Sequence, residues 1–323
     1  MLLQLQVTVP TDRTAQVLEL FEQCPGTAHL AVLRGASVAP AGDLVLADIA
    51  RESVDGVVAA LKQLDVDHDG GIVLVTVDAA VSSAARRAEE RAPGDAADAV
   101  VWEQVIRTVD ADSQLSFSYL AFLTIATMLA AIAIIIDSPI LVIGAMVLGP
   151  EFSPLAGLAV AAVHRRPRIF RHSAVSLVLG FAVAIAVTAI VALVGRGLGW
   201  FGTDLLSADR PGTGFITQPD RWSLVVAVLA GIAGVLSLTS SKSGALVGVF
   251  ISVTTVPAAG DMALSLALGG SREFAGAATQ LGINLVGIVV AATVTLAVQY
   301  AFWHSVPGAV PRMERVDRPR QRT

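Results

Sequence analysis

From residue 115 onward the chain is written in long apolar blocks, 115–136, 139–163, 173–195, 222–239, 243–268 and 274–302. A block of about 18 or more apolar residues is long enough to cross a hydrocarbon core of about 30 Å. Six such blocks predict six membrane-spanning helices. The second and fifth break in the same way. One runs from Ser138 to Val163 and carries Pro150 followed by Glu151; the other runs from Ser243 to Leu268 and carries Pro257 followed by Asp261. Pro150 lies 12 residues after Ser138 and Pro257 lies 14 after Ser243. At about 1.5 Å per residue, both breaks sit roughly 18–21 Å into their runs, near mid-membrane.

The first 114 residues follow other periods. Leu3, Leu5, Val7 and Val9 alternate with Gln4, Gln6 and Thr8, the pattern of a half-buried strand. Val17, Leu20 and Phe21 recur at helical spacing in 12–23, and Pro25-Gly26 ends that helix. Strands at 28–34 and 43–49 flank the turn-rich SVAPAGD. A helix over 52–64 buries Val54, Val57, Val58, Leu61 and Leu64, and DHDGG then turns the chain into a strand at 72–77. The order βαββαβ within residues 1–78 predicts a ferredoxin-like α+β domain. Residues 79–114 read as a linker: a charged helix, a break at Pro93-Gly94, then a helix capped by Asp95. That second helix has an apolar stripe of Val101, Trp102, Val105, Ile106 and Val109, for packing on the head or a neighbouring subunit, or for lying on the inner membrane surface.

Charge orients the blocks. The connection 164–172 carries four arginines and the tail 303–323 five, which places both on the cytoplasmic side. The connection 196–221 balances three arginines with three aspartates and suits the outer side. Six spans with both termini in the cytoplasm satisfy these clues, which predicts a multi-pass protein of the cell (inner) membrane. The start MLLQLQVTVP lacks a basic region and a long apolar core, so it does not read as a signal peptide. The blocks group as three plus three. Because each half crosses an odd number of times, the halves form an inverted repeat, and paired broken spans in such repeats point to a transport site.

Overall composition is 54% hydrophobic and 15% charged, with mean hydropathy +0.69. The formal charge of −5 hides an acidic first 114 residues and a basic remainder. No basic stripe with interleaved aromatics invites nucleic acid. Cys24 stands alone, which excludes an intrachain disulfide and a cysteine-based zinc site. Asp65, Asp67, Asp69 and Gly70 open like a calcium loop, but Thr76 holds the position that needs a glutamate. No metal or other cofactor is predicted.

Residues 137–157, DSPILVIGAMVLGPEFSPLAG, resemble the signature of the domain-of-unknown-function family 389, through Ser138, Pro139, Ile143, Gly144, Ala145, Met146, Pro150, Pro154 and Gly157. Residues 244–260, GALVGVFISVTTVPAAG, are similar to its second block, and Asn284 to its closing asparagine. Two departures stand out: Ala258 follows Pro257 where relatives have a second proline, and Glu151 replaces an apolar residue. The resemblance implies a hydrophobic membrane protein of prokaryotes with a small α+β domain. It implies no substrate or reaction.

The candidate chemistry gathers at the breaks. Proline removes a helical N–H and clashes with the preceding turn, so Pro150, Pro154 and Pro257 mark points where backbone groups need other partners or a bound ion. Glu151 leads the candidates because a carboxylate in mid-membrane costs ~2.5–3.5 kcal/mol on insertion scales. Burial disfavours the ionised form of a carboxyl group, which suits such a residue to carry a proton. Asp261 is its counterpart. Thr254 and Thr255 precede Pro257, Asn284 needs a partner inside span six, and Lys242 stands among serines in SLTSSKS. Kinks that serve packing alone, a capped turn around Lys242 and Asn284 as interhelical glue are the plainer readings.

No GxSxG, HExxH or phosphate-loop pattern occurs, so no enzyme is predicted. The function expected is a transporter or channel for a small solute or ion, with a cytosolic head for assembly or regulation. The alternative is a non-transporting membrane sensor or scaffold whose head binds a ligand. The expected partners are the lipid bilayer, the solute and further copies of the chain.

Overall fold

A computed structural model describes residues 1–92, 99–206, 210–214, 221–240 and 255–305. The chain forms two compact units, a head built mainly from residues 1–105 and a helical unit built mainly from 106–300.

In the head, alternation makes strands and an apolar stripe makes helices. The elements are β1 (Leu2–Val9), α1 (Thr14–Gln23), β2 (Thr27–Val38), β3 (Ala41–Ala50), α2 (Arg51–Gln63), the single turn α3 (Val66–Asp69) and β4 (Gly71–Thr76). The sheet is antiparallel throughout in the order β2-β3-β1-β4, with Val7 opposite Val45 and Leu5 opposite Leu74. Leu3, Leu5, Val7 and Val9 turn inward onto Val17 and Phe21 of α1 and Val54, Val57 and Leu61 of α2. The β2–β3 hairpin runs to its tip, because Val38 pairs with Ala41. Most of SVAPAGD, expected as a turn, is therefore strand. DHDGG holds a helical turn rather than an open loop, and Arg13 ion-pairs Asp69 at 2.8 Å.

Asp43 is buried beneath this hairpin. It accepts the Gly35 N–H and the Thr14 hydroxyl, each at 2.8 Å. Gly35 has φ of +63°, a conformation glycine adopts without strain, at an irregularity of β2. The Gly35 N–H, then the Thr14 hydroxyl, with Arg34 adding a smaller effect against burial, hold the Asp43 carboxyl below its ordinary value.

Two helices follow in the expected linker. α4 (Ser83–Arg91) is capped by Ser82, whose Oγ accepts the Ala85 N–H at 3.1 Å. α5 spans Trp102–Asp112. Val101, just before it, joins the head core, and Glu103 pairs with Lys62 of α2 at 2.6 Å. The start of the linker stripe thus packs on the head. The break at Pro93-Gly94 and the cap at Asp95 lie outside the described residues.

The helical unit contains α6 (Phe117–Ile135), α7 (Pro139–Leu148), α8 (Phe152–His164), α9 (Pro167–Gly197), α10 (Arg221–Thr239), α11 (Val256–Leu268) and α12 (Ser271–Ser305). Among the described residues, α6, α9, α10 and α12 are each long and apolar enough to cross a membrane. α7 and α8 together reach that length but bend by 54° at their junction, and α11 is shorter. Residues 243–254 of the fifth apolar block lie outside the described residues. α9 is longer than its apolar run. Pro167 at its start suits a first helical turn, so Arg168 and Arg171 sit on the helix, and the turn shrinks to Arg165 and Arg166.

These helices pack through small residues. A side chain at Gly260 of α11 would meet the Ala130 Cβ and Ala131 N of α6 at 2.9 Å. One at Gly231 of α10 would meet the Ile288 carbonyl of α12 at 2.6 Å. Such close backbone approach is the usual glue of helices that share a lipid environment. One core joins Leu123 and Ala126 of α6, Leu155 of α8, Phe181 of α9, Ala230 of α10, Ala259 of α11 and Ile288 of α12.

Candidate functional site

The break in the second apolar block is local chemistry. α7 ends at Leu148, with Gly149 as its cap, and Pro150 has no N–H to continue the ladder. Glu151 then starts α8, its carbonyl accepting the Leu155 N–H at 3.2 Å. Pro154 falls in the first turn of α8, where a missing N–H costs no helical bond. In the fifth block α11 begins in the same style. Thr255 is its cap, Pro257 lies in its first turn, and the Ala259 N–H bonds the Thr255 carbonyl at 3.1 Å.

The two helix starts meet. Thr255 Oγ1 donates to Glu151 Oε1 at 2.6 Å, a contact between residues 104 positions apart. Both side chains are fully buried. Glu151 does not cap its own helix, and Thr255 does not cap its own; each side chain reaches across instead. Each start also presents first-turn N–H groups and the positive end of a helix dipole, and a carboxylate is stabilised beside such an end. Tyr119 of α6 is buried, and its hydroxyl has no hydrogen-bond partner among the described residues.

Asp261 belongs to another place. It lies six residues beyond Thr255, about 9 Å further along the helix, and takes Arg210 as its ion-pair partner at 3.4 Å. Its Oδ2 has no partner among the described residues. Arg210 begins a short strap, residues 210–214, that Asp137 holds against the end of α6. Asp137 accepts the Thr213 hydroxyl at 2.7 Å and the Gly212 N–H at 3.2 Å. The Thr213 hydroxyl is the main cause that keeps the Asp137 carboxyl below its ordinary range, with the Gly212 and Thr213 N–H groups and Arg210 helping against burial.

Of the residues expected at the breaks, the structure brings together Glu151 and Thr255, each beside its proline. Asn284 is fully buried on α12, one turn from the buried Gln280. Thr254 and Lys242 lie outside the described residues. Sequence reasoning missed Arg210, Tyr119 and Gln280. Arg210 sits in a connection with no period to place it. Tyr119 reads from sequence as one more apolar position of a span. Gln280 offered the one usable signal, a polar residue four positions before Asn284 on the same helix face.

The family model described as "Domain of unknown function (DUF389)" matches residues 146–290, which bears out the resemblance carried by the two motif blocks. An uncharacterized protein of Methanocaldococcus jannaschii is 25% identical over 219 residues, 67% of this chain and 66% of its own length. The chain therefore spans a little under two thirds of that relative. No solved structure matches the chain.

Proposed function

We propose that the chain is a membrane transporter or channel for a small solute or ion, with its working site at the Glu151–Thr255 junction. The observation that carries this reading is the hydrogen bond between the starts of α8 and α11. It joins a buried carboxylate at the start of α8 to the start of α11, and converging helix starts of this kind are where broken spans bind substrate and coupling ion. Six spans arranged as a 3+3 inverted repeat complete the reading. α6, the bent α7–α8 pair and α9 form one half; α10, the block that ends in α11, and α12 form the other. Both termini face the cytoplasm, since the arginine-rich turn after α8 and the arginine-rich tail take the same side.

Glu151 serves as the group that binds and releases the coupling proton. Thr255 positions it and completes its hydrogen bonding when it is ionised. The head is ferredoxin-like, its strand order agreeing with that family of sheets, and its edge strands offer pairing surfaces through which copies assemble. Its role is assembly or regulation.

The test is flux. Purified protein is reconstituted into liposomes that enclose a pH-sensitive dye, and gradients of inorganic and organic ions are imposed in turn. At least one solute is expected to drive proton movement that wild-type protein supports and Glu151→Gln does not. Wild-type liposomes as tight as empty ones under every gradient would overturn the proposal.

A further inference from the structure

The face that α10 and α12 turn outward is not flat. The two helices run in the same direction and touch through small residues. A side chain on Gly287 would meet the Ala227 Cβ at 3.0 Å, and one on Gly231, a turn further, would meet the Ala291 Cβ at 2.8 Å. That close approach forms the floor of a groove of about 810 Å³. One wall is the stripe Arg221, Leu224 and Val228, spaced as neighbours on one helix face. The other is Ile283, Val286 and Val290. All six side chains are exposed. At the top of the groove Gly282 leaves open space, since a side chain there would meet nothing within 4 Å.

The groove changes character with depth. Arg221 is the first residue of α10, and the exposed Trp222 follows it. Arginine and tryptophan at the end of a span mark the membrane–water interface, the depth at which lipid headgroups lie. Arg221 makes no ion pair or hydrogen bond among the described residues. Below it the lining is apolar throughout. The walls run from Arg221 to Val228 and from Gly282 to Val290, a descent of about 10–12 Å at the helical rise.

We infer that this groove holds an anionic phospholipid, its phosphate on the Arg221 guanidinium and the upper part of one acyl chain between the walls. The inference goes beyond the reading of Glu151 and needs only that α10 and α12 lie in a membrane. Charge decides the occupant. A second copy of the chain seated here would enclose a guanidinium without a counter-charge, which is strongly unfavourable away from water. A phospholipid brings the counter-charge at the depth where Arg221 stands, and a guanidinium pairs with phosphate through two parallel N–H bonds. Lipid tails are as apolar as the walls, so no hydrophobic gain holds the chain in place. Packing against both walls and the floor does, together with the phosphate pair.

The experiment is native mass spectrometry of the full-length protein released from detergent, after incubation with equal amounts of a phosphatidylglycerol and a phosphatidylethanolamine that carry the same acyl chains. Wild-type protein is expected to retain phosphatidylglycerol in preference. Arg221→Gln should lower that occupancy about fivefold, the effect of one basic residue near an anionic headgroup. Gly282→Leu fills the top of the groove from a position with open space around it and should lower occupancy at least as far. Val286→Phe fills the groove from a second, exposed position and should do the same. Gly197→Leu adds the same bulk at an open position of α9 and should leave occupancy unchanged. Retention that survives both groove-filling variants, that is indifferent to Arg221→Gln, or that does not distinguish the two lipids overturns the inference. So does a wild-type dimer that carries no lipid and that Gly282→Leu separates, which would make the groove an interface between copies.

Discussion

Glu151 and Asp261 are the two acidic residues fully enclosed in the helical unit among the described residues, and each follows the proline of a broken block, yet they are satisfied by different chemistry. Asp261 has a guanidinium at 3.4 Å, brought to it by a strap that Asp137 anchors. Glu151 has a threonine hydroxyl at 2.6 Å and the amino ends of two helices. A carboxylate with a guanidinium beside it has a counter-charge within reach. One held by a neutral hydroxyl and by dipoles can gain or lose a proton with less rearrangement. On the proposed function the difference would separate a latch from a working group, although the two residues occupy related places in the sequence.

Four changes break or sharpen that contrast. The largest effect is expected from Glu151→Gln, which should lower proton-linked flux by at least about a hundredfold while the purified protein keeps its elution volume and helical circular dichroism. Asp261→Asn should leave most of that flux. Next is Arg210→Gln, which strands a buried carboxylate. Removing one partner of such a pair costs roughly 3–5 kcal/mol, so the thermal midpoint in detergent should fall sharply, and Arg210→Gln combined with Asp261→Asn should regain most of the loss. A full loss in the double variant would show that the strap, not the ion pair, carries the stability.

Third is Thr255→Ala, which removes a hydrogen bond to a charged group and should cost about 1.5–3 kcal/mol in denaturant unfolding. Thr255→Ser keeps the hydroxyl and should restore it. The smallest effect lies in the head and serves as the water-facing reference. The Asp43 carboxyl is held below its ordinary value of 3.8 by the Gly35 N–H and the Thr14 hydroxyl. Its contribution to stability is therefore complete above that pH and is lost as pH falls through the lowered folded value. Asp43→Asn should flatten the acid limb of head unfolding below about pH 4 and leave proton-linked flux unchanged.

The order of the head was legible because period-2 alternation and helical stripes are local signals. Leu3 to Val9 and Val54 to Leu61 face the core as their spacing requires. The break at Pro150 was legible for the same reason, since a missing N–H acts on its own turn. What could not be read is what lies far apart in sequence. Glu151 and Thr255 were both marked, but nothing in either neighbourhood says that one bonds the other. Asp261 is the counterpart of Glu151 in the sequence, and nothing in its neighbourhood says that it lies a turn and a half past Thr255, in the reach of Arg210.

The absence of a side chain at Gly260 sets how closely two helices of this molecule lie. A Cβ there would stand 2.9 Å from Ala130 and Ala131, so any larger residue would lift α11 off α6. Thr255 opens the same helix five positions earlier, and its place against Glu151 therefore depends on a spot that carries no side chain at all.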